Sequence, residues 1–328
     1  MKPYALLAAL ALSASAQAQQ FTMKLSTPTI NDVTIEWMNA FKAGVESRSG
    51  GKIKVEIYPA NQLGPIPRTV EGVALGTIEM TTPATGFFVG LEPRFVVFDA
   101  PGLFDDMRHA QRVFADPDVR KRLATFGASK GVEPLFTFVH GPLMLLSHKP
   151  VKAVGDLAGQ KIRVPGGAPL HLEPFKKLGA NPLSMPLGEV MPAMQNRTID
   201  GFTAGLTIYT AFKYYDVAKP LTELPGSFLI AGGLVNRNYL KSLGPLEAMV
   251  REEAQKAERI FATWGVEDVE KSRKLWESHG GQNIKLPPAE AKRYLDQATS
   301  ALPPILAANA QLRDDYEAIA AAAKKYRQ

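Results

Sequence analysis

The sequence predicts an α/β protein of two lobes, joined by a hinge and crossed by a long helix. Three observations carry that prediction. Short alternating apolar runs follow one another with stretches of helical spacing in between, the pattern of strands and helices in a layered α/β fold. The series occurs twice, once from Phe21 and again from Glu133. Residues 246–277 contain no Pro and no Gly except Gly265, and they are rich in Glu, Ala, Lys and Arg. The chain has 328 residues, enough for two compact units of about 100–200 residues each. With 45% hydrophobic and 21% charged residues it is too apolar for disorder, and its 27 Gly and 25 Pro show no triplet period.

Lys2, the apolar run Ala5 to Ala14 and Ala16-Gln17-Ala18 read as an export leader with a small-x-small cleavage signal, so 1–18 is expected to be removed. That apolar run is shorter than the roughly 20 residues needed to span a bilayer. After it, Phe21 to Ser26 alternates as a strand, and Asn31 to Ser47 carries Ile35, Met38, Phe41 and Val45 at helical spacing. The turn Ser49-Gly50-Gly51 leads to a strand over Ile53 to Tyr58. A helix over Pro67 to Leu75 is closed by Gly76, and Ile78 to Thr82 is a short strand. The second series places strands at Glu133 to His140, Leu143 to Ser147, Lys161 to Val164, Pro182 to Ser184 and Gly201 to Thr203. Its helices lie at Pro169 to Leu178 and Glu189 to Gln195. Residues 246–277, if helical throughout, reach about 48 Å at about 1.5 Å per residue and cross both lobes. Pro288 to Lys325 adds two amphipathic helices. Gly141-Pro142 and Ala231-Gly232-Gly233 are the candidates for the bend between lobes.

Motifs for catalysis are missing. There is no Cys, which excludes disulfides, thiol nucleophiles and thiolate metal sites. His171 is followed by Leu172 and Glu173, not by the spacing that places two imidazoles on one helical face, and neither a Gly-x-Ser-x-Gly elbow nor a phosphate loop occurs. The five His residues, 109, 140, 148, 171 and 279, are scattered, and surface or helix-end roles are expected for them. The formal charge of +6 is dispersed among both signs. It makes no nucleic-acid stripe and mildly favours anionic ligands.

One segment is informative: Gly155-Asp156-Leu157, Gly159-Gln160-Lys161-Ile162-Arg163-Val164-Pro165, Gly179-Ala180-Asn181-Pro182, Glu189 and Ile199-Asp200-Gly201. With Gly50 to Val55, Tyr58 to Gly64 and Pro101 to Phe104, it resembles the periplasmic solute-binding proteins of tripartite ATP-independent periplasmic (TRAP) transporters, the DctP-type receptors. The resemblance covers the whole mature chain. It implies a two-lobed periplasmic binding protein fold, with 19–140 plus 230–269 as lobe I and 141–229 plus 270–328 as lobe II. It further implies a periplasmic, monomeric receptor without cofactor or metal. Such a receptor closes on a small carboxylate and delivers it to a small and a large membrane subunit.

Arg163 follows an apolar strand residue and precedes Pro165-Gly166-Gly167, so its fork of donors can be aimed from a strand end at a carboxylate. The family uses this arginine as its filter for carboxylates. Glu189 and Asp200-Gly201 read as architectural, at a helix start and a tight turn. Where the resemblance to sialic-acid receptors implies further polar contacts, this chain has Leu143, Ala204, Ala84 and Phe87, and the position that is often aromatic is Leu187. A cleft of Arg163 and Gly166 with walls of Phe87, Phe88, Leu143, Leu187 and Tyr209 is expected to take an aromatic or branched aliphatic monocarboxylate. A 2-oxo or 2-hydroxy group would be held by Thr203, Thr85 or a main-chain amide. The competing readings are a sugar-acid or C4-dicarboxylate receptor, a ligand-binding partner of a sensor kinase, and an exported enzyme using Arg163 as a clamp.

Overall fold

The computed structural model describes residues 19–327, so the expected leader lies outside the described residues. Among the described residues nine strands form one continuous sheet: β1 (Phe21–Ser26), β2 (Ile53–Tyr58), β3 (Met80–Thr81), β4 (Val132–Ser147), β5 (Lys161–Val164), β6 (Asn181–Ser184), β7 (Gly201–Gly205), β8 (Pro220–Asn236) and β9 (Gln282–Ile284). Their order is β2-β1-β3-β8-β4-β7-β5-β6, with β9 on β8. The outer triplets are parallel, as crossover helices require, while β4 and β8 run antiparallel between them.

Those two long strands explain how one sheet serves two halves. The C-terminal end of β8 pairs with β3 through Leu234 and Val235, and its N-terminal end pairs with β9. The C-terminal part of β4, Leu143 to Ser147, pairs with β7. A ribbon about 50 Å long therefore leaves one half and enters the other. Sequence reading splits β4 at Gly141-Pro142, but the strand continues through both residues. Proline's missing N–H is accommodated because the register against β8 shifts between Val139 and Gly141 and again between Pro142 and Met144. Gly232 and Gly233 are not turn residues. They lie inside β8, where a Cβ on Gly233 would stand 2.3 Å from the Phe136 ring.

Each half has its own packing. In the first, helix 33–48 lays Trp37, Phe41 and Val45 against Met23, Leu25 and Val55, and Asp32 caps it by accepting from the Thr34 and Ile35 amides. The helix after Pro65 ends at Gly76, at φ 78°, where a left-handed residue is needed. In the second, Ile162, Val164, Val190, Met194 and Phe202 pack between the sheet and helices 169–177 and 187–195. Gly201 is in extended backbone at the start of β7; a Cβ there would lie 2.5 Å from the Leu146 carbonyl oxygen, so it serves strand proximity and not a turn.

The long helix is realised as three successive segments, 246–257, 259–262 and 264–278. The Thr263 hydroxyl donates back to the Arg259 carbonyl at 2.9 Å, a bond that bends helices, and Thr263 leaves helical geometry at ψ −87°. The run still joins the halves: Trp37 donates to the Ala254 carbonyl at one end, and Thr210 meets Ser272 at the other. Gly265 lets it approach Val33, whose Cγ2 would be 2.8 Å from an added Cβ. The tail forms helices 288–299, 302–307 and 310–326, one more than expected. The last returns to residues 93–123, where Asp315 takes Arg94 and Arg122, and Asp116 takes Lys325.

Candidate functional site

Between the halves lies a cleft whose empty space, open solvent included, is about 440 Å³, bounded on one side by Thr29, Thr34, Ile66, Thr82, Ala84 and Phe87, and on the other by Arg163, Pro165, Leu187, Ala204 and Ile208. His140, Leu229 and Ala231 come from the connecting ribbon. Arg163 is placed by β5, whose alternation sends its side chain inward from the strand end. Its Nε donates to the Met185 carbonyl at 2.8 Å and one Nη to the Thr203 carbonyl at 3.2 Å. The residue is 2% exposed, and no described carboxylate pairs with it. Burial lowers the guanidinium to about 10, still far above neutrality, while Tyr214 and Tyr209 act in the opposite direction. The result is a charged fork held by two carbonyls and open to an anion on its remaining N–H groups.

The floor beside it depends on two glycines. Gly166 sits at φ 75°, and a Cβ on it would lie 2.4 Å from the Gly86 carbonyl carbon; one on Gly86 would lie 2.8 Å from the Pro165 oxygen. Two loops, one from each side of the cavity, thus touch backbone to backbone. His171 holds the lower loop through Nδ1 and the Pro165 carbonyl at 2.7 Å, with Asp99 3.0 Å from Nε2. Although burial opposes it, Asp99 together with that carbonyl raises the His171 pKa.

Of the ten site residues expected from sequence, the structure brings Arg163, Ala84, Phe87, Leu187 and Ala204 to this cavity. Gly166 adjoins it through the backbone contact just described. Phe88 does not reach it; the ring is fully buried and packs edge-on against Phe95 at 5.0 Å. Tyr209 is also core, its hydroxyl 2.8 Å from the carbonyls of Met144 and Phe202. Leu143 and Thr203 face a separate, narrow pocket with Asp99 and His171, because neighbouring residues of a strand point to opposite faces. Thr85 donates to the Ile230 carbonyl instead of facing a ligand.

Sequence reading missed the other polar wall. Thr29, Thr34 and Thr82 come from the ends of β1 and β3 and the start of helix 33–48, and only folding gathers them. His140, expected at the surface, is 3% exposed and faces the cavity with Nε2 2.8 Å from Asp32 and Nδ1 3.2 Å from the Thr207 hydroxyl.

An enclosed cleft between two strand-linked halves, centred on one cation, is the architecture of a solute receptor. The comparisons agree: the profile of the bacterial extracellular solute-binding proteins of family 7, DctP, matches residues 26–306. The chain belongs to that family, the periplasmic solute-binding proteins of TRAP transporters, and is not an enzyme. It is similar to the 2,3-diketo-L-gulonate-binding periplasmic protein YiaO of Escherichia coli, at 29% identity over 71% of this chain and 70% of that one. Among solved structures it superposes on a TRAP periplasmic solute-binding protein of Desulfovibrio salexigens with bound orotic acid, at TM-score 0.88 and 23% identity, covering 93% of this chain and 99% of the other. A Bordetella TRAP protein whose bound density was assigned as pantoate gives TM-score 0.83 and 25% identity over 92% and 99% of the two chains.

Proposed function

We propose that this receptor closes on a small monocarboxylate with a branched aliphatic or aromatic body and presents it to the small and large membrane subunits of a TRAP transporter. The observation that carries the reading is Arg163, a buried cation held by two carbonyls and facing a cavity without a carboxylate of its own. A solute carboxylate supplies the missing partner by a bidentate bond. The walls of Phe87, Ile66, Leu187, Ile208 and Leu229 suit an apolar body. Leaving several sugar hydroxyls unpaired there costs about 1–3 kcal/mol each. A 2-hydroxy or 2-oxo group is met by the hydroxyls of Thr29, Thr34 and Thr82. Pantoate, assigned in the Bordetella relative, is a branched hydroxy acid of this kind, and the diketogulonate named for the Escherichia coli relative is also a carboxylate.

Binding works by closure. Residues 19–140 with 230–269 move as one lobe and 141–229 with 270–309 as the other, the last helix riding with residues 93–123, to which Arg94–Asp315 fastens it; the motion runs about the shifted registers of the β4–β8 ribbon, and the Gly86–Gly166 contact forms when the lobes meet. The membrane subunits then recognise the closed surface. Calorimetry with pantoate, 2-hydroxy-3-methylbutanoate, phenylacetate, galacturonate and succinate tests the reading. It stands if a branched or aromatic monoacid binds most tightly and Arg163→Ala loses at least 100-fold. It falls if galacturonate or succinate binds more tightly, or if the alanine variant keeps its solute.

A further inference from the structure

Two ionisable side chains line the described wall of the cavity, Arg163 and His140, and they are treated differently. Both abut β7: Arg163 reaches the Thr203 carbonyl, and His140 Nδ1 would lie 3.1 Å from a Cβ on Gly205. Two residues of strand separate these points, about 7 Å. A dicarboxylate of four carbons spans that distance, so its second carboxylate would arrive at His140. Yet Asp32 stands behind the imidazole, 2.8 Å from Nε2, with no exposed surface, and it is not part of the cavity wall.

We propose that Asp32, acting through His140, makes the cleft selective for solutes with a single negative charge. Arg163 offers one unbalanced positive charge; any charge His140 gains is cancelled by the carboxylate bonded to it. A second solute carboxylate would enter a low-dielectric space next to Asp32, where like charges repel strongly. The inference deepens the monocarboxylate reading and rests on it. It also gives His140 a role that its hydrogen bonds alone do not: its two nitrogens are already engaged by Asp32 and Thr207, so it has no donor left for a second carboxylate. The charged groups facing His140 are Asp32 before helix 33–48, Asp268 on helix 264–278 and Arg163 on β5. Glu36 and Lys271 act on Asp268 from the same two helices. Asp268 supports the picture of a crowded acidic corner: burial, with Asp32 adding to it against His140, raises its carboxyl to about 6.

The test compares a matched pair of acids, 2-hydroxy-3-methylbutanoate and malate, by calorimetry on the full protein at pH 5.5 and pH 8. Wild-type protein is expected to prefer the monoacid at least tenfold at both values. Asp32→Asn retains an N-cap acceptor for helix 33–48 and removes the charge. In it the malate-to-monoacid affinity ratio should rise at least tenfold, because the negative charge behind the imidazole is gone. Asp32→Ser, a second capping residue, should give the same shift if the asparagine variant folds poorly. A merely structural role for Asp32 would lower both affinities together and leave the ratio fixed. An unchanged ratio in the folded variants, or wild-type malate binding as tight as the monoacid, overturns the selector. If instead galacturonate proves to be the solute, the proposed apolar ligand class fails, and the selector is read separately from the ratio of galacturonate to its diacid, galactarate.

Discussion

Two arginines are buried in this protein, and their surroundings differ in one respect. Arg94 meets Asp315 through Nε at 2.6 Å and Nη2 at 3.0 Å, lies 4.1 Å over the Phe126 ring, and so fastens the last helix to residues 93–123. Arg163 is as deeply buried but has only carbonyls for partners. A protein that spends a bidentate carboxylate on one buried guanidinium and withholds it from another marks the second as a place for something from outside. On the proposed reading the first arginine belongs to the fold and the second to the solute site, although composition and burial alone make them look alike.

That contrast gives the largest expected effects. Arg94→Ala leaves Asp315 short of its main partner, with only Arg122 at 2.8 Å, and should lower unfolding stability by about 3 kcal/mol in urea titrations. Solute affinity measured on the folded fraction should stay within threefold. Arg163→Met should show the reverse pattern. The desolvated cation it removes offsets the two carbonyls it leaves without donors, so the unfolding free energy from urea titration changes by about 1 kcal/mol or less while binding disappears. If both variants lose stability equally, the distinction between the two sites is wrong. Gly166→Ala comes next. At φ 75° and 2.4 Å from the Gly86 backbone, a methyl group cannot fit the closed form, and solute affinity should fall about 10- to 100-fold with little change in the open form's small-angle scattering radius.

The contrast was only half legible in the sequence. Arg163 could be found because strand alternation, a following Pro165-Gly166 and the surrounding motif all act over a few residues. Phe87 and Leu187 were found similarly, but Phe88 and Tyr209 were not separable from them, since an apolar side chain reads the same whether it faces a core or a cleft. The Asp32–His140 pair was invisible: 108 residues separate its members, and Asp32 looks like any helix cap. β8 was missed because Pro220, Pro225, Gly226, Gly232 and Gly233 mimic a loop, whereas the glycines make room for Phe136 and Leu295. Arg94 and Asp315, 221 residues apart, are equally beyond local pattern.

The smallest effects lie in the pH dependence of stability, and the two regions should respond with opposite signs. At the tail, the Lys325 ammonium, with Tyr326 and the Val119 and Asp118 amides, holds Asp116 at about 2, below its ordinary 3.8. A depressed carboxyl contributes stability above its unfolded value that is lost as pH falls from about 4 towards 2. Asp116→Asn should therefore flatten the acid limb of the melting-temperature curve. Near the cleft, burial raises Asp268 to about 6. A raised carboxyl is least costly below its unfolded value, and the penalty for ionising it in the folded state grows as pH rises from about 4 to 6. Asp268→Asn should therefore raise the melting temperature at pH 7.5 and leave it unchanged at pH 3.5. A tail that stabilises through satisfied charge and a cleft that tolerates strained charge would then appear as two melting curves displaced in opposite directions. Curves displaced the same way would mean that the cleft is built like the tail, for stability alone.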